Sequence, residues 1–143
     1  MNIDKFCETV VKEYKKKFPK AWIVAHKRKL LGEVVYISFG VQEKKNLSGG
    51  YEENDPAQHK FMIHDVKDGE FSSDKITLDV VVGGSLYIKP AEGSYMAYDK
   101  VKIGLRKKTG TPEQIITHLT KYFSKLDKVV KDEKKKGTLA HKI

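Results

Sequence analysis

The clearest hydrophobic pattern in the chain lies near its C-terminal end and predicts one long amphipathic helix. Apolar residues recur three and four positions apart over residues 115–130, which places them on one helical face. Thr111 suits an N-cap, Pro112 suits the first helical position, and Gln114 completes a capping box. Gly137 is the kind of residue that follows a helix C-terminus. We therefore expect a helix that starts after Thr111 and ends near Gly137.

A second apolar stripe predicts a helix at the start of the chain. Ile3, Phe6 and Tyr14 lie at helical spacing, and Pro19 is a residue that stops a helix. Cys7 shares the apolar side of this helix, so we expect it to be a small buried hydrophobe. As the one cysteine of the chain, it excludes an internal disulfide.

The residues between the two helices alternate between apolar and polar, which predicts strands. The predicted strands cover residues 21–29, 34–42, 59–66, 75–82, 86–89 and 98–105. In the fourth strand, the even-numbered residues from Ile76 to Val82 are all apolar and are expected to face one way. Asp68-Gly69 is typical of a tight hairpin turn, and residues 106–110 are expected to form the turn before the last helix.

These elements predict the fold class. We expect a single α+β domain over residues 1–137, in which a mainly antiparallel sheet of about five to six strands is flanked by the N-terminal and the long C-terminal helix. Each helix has one apolar stripe, so both are expected to cover the same, apolar face of the sheet. Residues 138–143 are expected to form a short basic tail.

One long segment carries no regular pattern. Residues 43–58 are rich in Gly, Asn, Ser and Pro, and they contain no glycine-rich phosphate-binding motif. A loop of this length is uncommon unless it is mobile or functional. The composition therefore favours a flexible arm or one that a partner orders.

The charge balance indicates the type of partner. The chain has 28 Lys and Arg residues and a formal net charge of +9, but only Arg28 and Arg106 are arginine. A lysine ammonium suits phosphate groups and is poorly suited to two-pronged contacts with base edges. The composition therefore favours a non-enzymatic protein that binds the backbone of single-stranded DNA or RNA with little sequence specificity.

The expected nucleic-acid contacts combine cations with two strand aromatics, as single-stranded binding sites do. They come from the first hairpin and from the last predicted strand and its turn: Trp22, Lys27, Arg28, Lys29, Tyr36, Lys100, Lys102, Arg106, Lys107 and Lys108. These residues form one surface only if the first hairpin and the last strand approach each other in the sheet. A pair of aromatics on strands is also compatible with a purely structural, buried role.

An alternative function class fits the same composition. A structural or protein-interaction subunit, for example a phage-type assembly component, would carry the lysines as a solvated surface and bind a protein partner or further copies of itself.

Enzymatic function is not expected, because no catalytic signature is present. The five histidines are scattered without an HExxH or Cys/His spacing, and no GxSxG motif occurs. His64 and Asp65 are adjacent in a predicted strand, so they are expected to point to opposite faces. We expect no catalytic residues, no metal and no cofactor. No apolar run approaches the ~20 residues of a membrane span, and no signal peptide is evident, which predicts a cytoplasmic protein without membrane association.

Overall fold

The structure, a computed structural model, describes residues 1–29, 32–41, 58–89 and 99–139. Within these ranges the helices are α1 (Ile3–Lys17) and α2 (Pro112–Lys136). The strands, in chain order, are β1 (Ile23–Lys29), β2 (Glu33–Gly40), β3 (Gln58–Ile63), β4 (Val66–Lys67), β5 (Glu70–Phe71), β6 (Ile76–Val82), β7 (Ser85–Ile88), β8 (Asp99–Lys102) and β9 (Lys108–Gly110).

Five strands form the main antiparallel sheet, in the order β1-β2-β3-β6-β9. Two small hairpins, β4-β5 and β7-β8, stand outside it as separate two-stranded sheets. The prediction of an α+β fold with an antiparallel sheet between an N-terminal and a long C-terminal helix is confirmed.

Both helices begin and end where local sequence signals place them. In α2 the Thr111 side chain accepts the Gln114 N–H, the Gln114 side chain accepts the Thr111 N–H, and Gly137 takes the left-handed C-cap conformation with φ 70°. In α1, Asn2 is the N-cap, and its side chain accepts the Lys5 N–H.

The helices and the sheet share one aromatic core centred on Phe39 of β2. The ring of Phe39 lies 4.9 Å from Tyr14 of α1 and 5.4 Å from Phe123 of α2, measured between centroids. Phe61 of the neighbouring β3 contacts it edge-on at 5.3 Å. Because one side chain of the sheet touches both helices, α1 and α2 lie on the same face, which we call the core face.

The last strand of the main sheet differs from the prediction. The segment predicted as a strand over residues 98–105 provides β8, which pairs with β7 outside the main sheet. The segment predicted as a turn instead supplies β9, which pairs with Ile76–Leu78 of β6. The glycine of β9, Gly110, lies under the capping side chain of α2: a Cβ built on it would meet Gln114 Oε1 at 2.5 Å. The short strand therefore ends where it packs against the start of α2.

Two further expectations about strands need correction. The strand predicted over residues 59–66 is broken after Ile63, because Asp65 has a φ of 69° that no regular strand contains. The alternation in β6 is also interrupted: Phe61 pairs with Val80 but Lys60 pairs with Val82, which leaves Val81 as an extra, bulged residue. The bulge turns Val82 away from the core face, and its side chain is 47% exposed.

The other local predictions have mixed outcomes. The Asp-Gly turn joins β4 to β5, with positive φ at both Asp68 and Gly69 as in a type I′ hairpin turn. Cys7 is buried on α1, and burial raises its thiol pKa to about 11. Thr138 and Leu139, expected to belong to a tail, bond to the β7 hairpin through Lys89 and Ile88. Of the loop predicted over residues 43–58, Gln58 is the first residue of β3, whereas residues 43–57 and the rest of the tail, 140–143, lie outside the described residues.

Neither helix in the described ranges has an apolar stretch of the length and composition that a bilayer crossing requires.

Candidate functional site

The sheet face opposite the helices is the candidate site, and we call it the open face. Successive side chains of a strand point to opposite faces, so the residues next to the buried core residues of each strand lie on the open face. In the described part of the chain, the helix contacts that involve Phe39 all fall on the core face. The open face carries the following residues: Val24, His26, Arg28, Val34, Tyr36, Ser38, Lys60, Met62, Thr77, Asp79, Val82 and Thr109.

Four of these residues gather around one aromatic ring, and we call them the Tyr36 cluster: His26, Arg28, Tyr36 and Lys60. His26 lies directly opposite Tyr36 in the β1-β2 register, with 6.4 Å between the ring centroids. The Lys60 ammonium lies 4.7 Å from the Tyr36 centroid, and the Arg28 guanidinium carbon lies 6.0 Å from it. Both distances are within the range of cation–π attraction. A half-buried aromatic ring is thus flanked by two cations.

The surroundings of the cluster's histidine favour its neutral form. Arg28 Nε donates a hydrogen bond to His26 Nε2 over 2.9 Å, so the proton of a neutral His26 resides on Nδ1. Burial, followed by the charges of Arg28 and Lys60, holds the pKa of His26 below its usual range. Among the described atoms, His26 Nδ1 is buried and has no hydrogen-bond partner.

The first-hairpin residues expected at a nucleic-acid site divide between the two faces. Arg28 and Tyr36 lie together in the cluster. Trp22 accepts the Gly40 N–H at its carbonyl over 3.1 Å, so the strand alternation extends to it and places it on the open side. Lys27 and Lys29 take the other positions of β1, opposite Val35 and Glu33, and belong to the side of the helices.

The remaining predicted contacts lie elsewhere. Lys100 and Lys102 belong to β8, in the separate hairpin. The carbonyl of Arg106 bonds to His118 of α2 over 2.8 Å. Lys107 reaches Asp79 on the open face at 3.5 Å, whereas Lys108 pairs with Leu78 in the register of the core face.

The predicted residues do not form one continuous basic surface. β1 and β9 are the two outermost strands of the five-stranded order, separated by roughly 19 Å at the usual strand spacing. The predicted last strand itself, β8, lies outside the main sheet, so the first hairpin and the last strand do not approach each other in the sheet as a single surface required. Near β9 the charge is also offset, because Asp79 contacts both Lys107 and His64.

Sequence reasoning missed Lys60, which completes the cluster. Lys60 alternates with the buried residues His59 and Phe61 on β3, and that alternation was a usable signal for an outward-facing cation. Its position beside Tyr36, however, depends on the β2-β3 register, across a connection of 17 residues from 41 to 57. The pair of His64 with Asp79 was also missed, since only strand pairing joins them.

A second histidine, His59, lies on the core face and contacts Tyr122 of α2. The Tyr122 hydroxyl accepts the Gly84 N–H over 3.2 Å and lies 2.9 Å from His59 Nδ1. Burial lowers the pKa of His59 to about 4 and raises the pKa of Tyr122 well above its usual range, although the Gly84 N–H partly opposes the latter shift. A neutral His59 therefore accepts a hydrogen bond from the Tyr122 hydroxyl at Nδ1, and this bond links β3 to α2.

Over the described ranges, His, Cys, Asp and Glu side chains do not gather in groups of three that would hold an ion.

Comparison of the chain with protein-family models, with curated proteins and with solved structures finds no match.

Proposed function

We propose that this protein binds single-stranded DNA or RNA on the open face, with little sequence preference. The observation that supports this most directly is the Tyr36 ring flanked by Lys60 at 4.7 Å and Arg28 at 6.0 Å on the face opposite the helices. Aromatic rings stack on any base, and neighbouring cations attract the phosphates on either side of it. Both cations have long, flexible stems, so they can swing from the ring to a phosphate when a base takes their place.

The chemistry of the cluster also supports weak sequence preference. Lys60 is a point charge without a planar fork, and the single arginine of the cluster already donates Nε to His26. Recognition of a base edge typically uses bidentate arginine or amide side chains. Contacts by this cluster are therefore expected with phosphates and ring faces, which are the same in every sequence.

The size of the charged patch sets the expected salt dependence. Two cations, Arg28 and Lys60, lie beside the ring, while Lys107 is offset by Asp79. With about 0.7 counterions released per contact on a single strand, log affinity is expected to fall with log salt at a slope of about −1.4 from these two. Five phosphate contacts would give about −3.5.

The first experiment tests the ring. Binding of unrelated oligonucleotides at low salt is measured by fluorescence anisotropy for the wild type, Tyr36→Ala and Tyr36→Phe. Loss of one stacked base is worth about 1–3 kcal/mol, so Tyr36→Ala is expected to weaken binding by roughly 5- to 150-fold on all sequences. Tyr36→Phe keeps the ring and is expected to bind within about twofold of the wild type. Absence of binding by the folded wild type contradicts the proposal.

The second experiment tests which face binds, with variants of equal charge. Arg28→Gln/Lys60→Gln removes two cations from the open face, and Lys27→Gln/Lys29→Gln removes two from the other side of β1. The first pair is expected to flatten the salt slope by about 1.4, and the second by much less. Equal effects of the two pairs would show that only net charge matters and that the open face has no special role.

A second candidate function has its own observation. Val24 and Val82 lie in the same cross-strand row as Lys60, and both are nearly half exposed, at 46% and 47%. Exposed apolar residues on a sheet face suit a structural or self-assembling subunit. Light scattering against concentration decides between the two: self-association that Val82→Lys abolishes, without nucleic-acid binding, favours the assembly function. The expected cytoplasmic location belongs to both proposals.

A further inference from the structure

His26 is built into the candidate binding surface in a way that stacking and charge attraction alone do not require. It occupies the position directly opposite Tyr36 and accepts the Arg28 Nε–H at 2.9 Å. The neutral imidazole thereby holds the guanidinium near the ring, 6.0 Å from its centroid. A histidine in this position is able to change charge between pH 5 and 8.

The groups that face His26 come from three strands. Arg28 lies on its own strand, Tyr36 on β2 and Lys60 on β3. Asp79 of β6 belongs to the same cross-strand row, but it is separated from His26 by Tyr36 and Met62, and it contacts His64 and Lys107. The immediate surroundings of the imidazole in the described structure are therefore positive or neutral, and in the free protein they disfavour a third positive charge.

We propose that His26 takes up a proton when a polyanion binds to the open face, so that binding is tighter at lower pH. This inference rests on the proposed function. A phosphate beside Arg28 and Lys60 offsets the two charges that oppose protonation, which makes the imidazolium form more favourable in the complex than in the free protein. By linkage, if the bound ligand raises the proton affinity of His26, protonation of His26 must raise the affinity for the ligand by the same factor.

Protonation also changes which group Arg28 contacts. An imidazolium has a proton on both nitrogens, so His26 Nε2 can no longer accept the Arg28 Nε–H. The guanidinium then turns to the phosphate, and the imidazolium adds a further positive charge to the cluster. The Tyr36 cluster thus contains two cations in the free protein, Arg28 and Lys60, and three in the complex, where His26 is also charged.

The experiment compares wild type, His26→Gln and His64→Gln in binding to a rhodamine-labelled oligothymidine at constant ionic strength. Thymine has no group that titrates in the range used, and glutamine can still accept a hydrogen bond from Arg28. Between about pH 7.5 and about pH 5.5, wild type and His64→Gln are expected to bind roughly three- to tenfold more tightly, since one pKa unit corresponds to tenfold. His26→Gln is expected to show a much smaller change. Circular dichroism at both pH values confirms that each variant is folded.

The outcomes separate the two proposals. If wild type and His26→Gln bind and gain equally at low pH, the proton inference is wrong, while the proposed function stands. If the folded proteins do not bind at either pH, both are wrong. If the gain is lost in His64→Gln instead, the titrating group is the histidine paired with Asp79, and the assignment to His26 is overturned.

Discussion

The two faces of the five-stranded sheet contain similar side chains in opposite surroundings. On the core face, His59 stacks on Phe39 with 5.0 Å between centroids and is fully buried. On the open face, His26 lies 6.4 Å from Tyr36 and is half-buried, with Arg28 and Lys60 beside it. Both histidines have a lowered pKa, but burial alone lowers that of His59, whereas two neighbouring cations contribute to that of His26. Strand alternation thus buries one histidine in the core and leaves the other partly exposed on the opposite face.

The largest difference between the faces is expected in stability. Phe123→Ala removes a ring that is 1% exposed and contacts both Tyr14 and Phe39. The cavity is expected to lower the free energy of unfolding by roughly 3–5 kcal/mol. Chemical denaturation measures it. A loss below about 1 kcal/mol would mean that α2 does not pack on the core face as described.

The next effect is the pH dependence of stability. Because the pKa of His59 is about 4 in the folded protein and near 6.5 in the unfolded chain, only the unfolded state takes up the proton between these values. Above pH 6.5, titration of His59 therefore does not change the free energy of unfolding. As the pH drops from 6.5 toward 4, the free energy of unfolding is expected to fall by about 3 kcal/mol in total.

Urea unfolding of wild type, His59→Phe and His26→Gln over this pH range checks that expectation. His59→Phe is expected to lose most of the dependence, and His26→Gln to retain most of it, because His26 is only half-buried. If the pH dependence of the free energy of unfolding disappeared in His26→Gln instead, the group responsible would be His26 and the assignment to His59 would be wrong.

A smaller loss is expected when the hydroxyl that joins β3 to α2 is removed. Tyr122→Phe leaves the Gly84 N–H and the buried His59 Nδ1 without their partner. Stranding buried polar groups costs about 1–3 kcal/mol. Thermal and chemical unfolding measure the loss, and an unchanged stability would show that water replaces the hydroxyl.

The smallest effect on stability is expected at the open face. Tyr36→Ala removes a ring that contributes cross-strand contacts of roughly 0.2–1 kcal/mol, so the loss is expected to stay below about 1 kcal/mol. The same variant is expected to weaken nucleic-acid binding by roughly 5- to 150-fold if the proposed function is correct. A loss of stability comparable to that of Phe123→Ala would identify Tyr36 as a core residue and contradict the proposed stacking role.

Elements specified by local residues were predictable from the sequence. The capping box at Thr111, the C-cap at Gly137 and the Asp68-Gly69 turn each depend on residues within one helical turn or hairpin. The strand β9 was missed because its three residues acquire strand character by pairing with residues of β6 that lie 30 to 34 positions earlier in the chain. Likewise, the local sequence does not predict the bulge at Val81, because the bulge depends on the pairing register between β3 and β6.

The candidate site was predictable to the extent that it follows from alternation in one hairpin. Arg28 was identified as part of a run of basic residues, and Tyr36 as an aromatic of the neighbouring strand that could share its face; both lie in the β1-β2 pair, whose strands are separated by three residues in the sequence. Lys60 required the register of a third strand, across a connection of 17 residues. Lys27 and Lys29 were included because a run of basic residues was treated as one patch, although successive residues of a strand point to opposite faces.

The bulge at Val81 also affects the exposed edge of β6. β9 pairs only with Ile76–Leu78, so in the described structure the outer edge of β6 from Asp79 to Val82 has no neighbouring strand. Three consecutive valines on a straight, unpaired edge would be a template for a strand from another molecule. The extra residue at Val81 interrupts the regular alternation of β6, and a bulge of this kind disfavours pairing of a strand edge with a strand from another molecule.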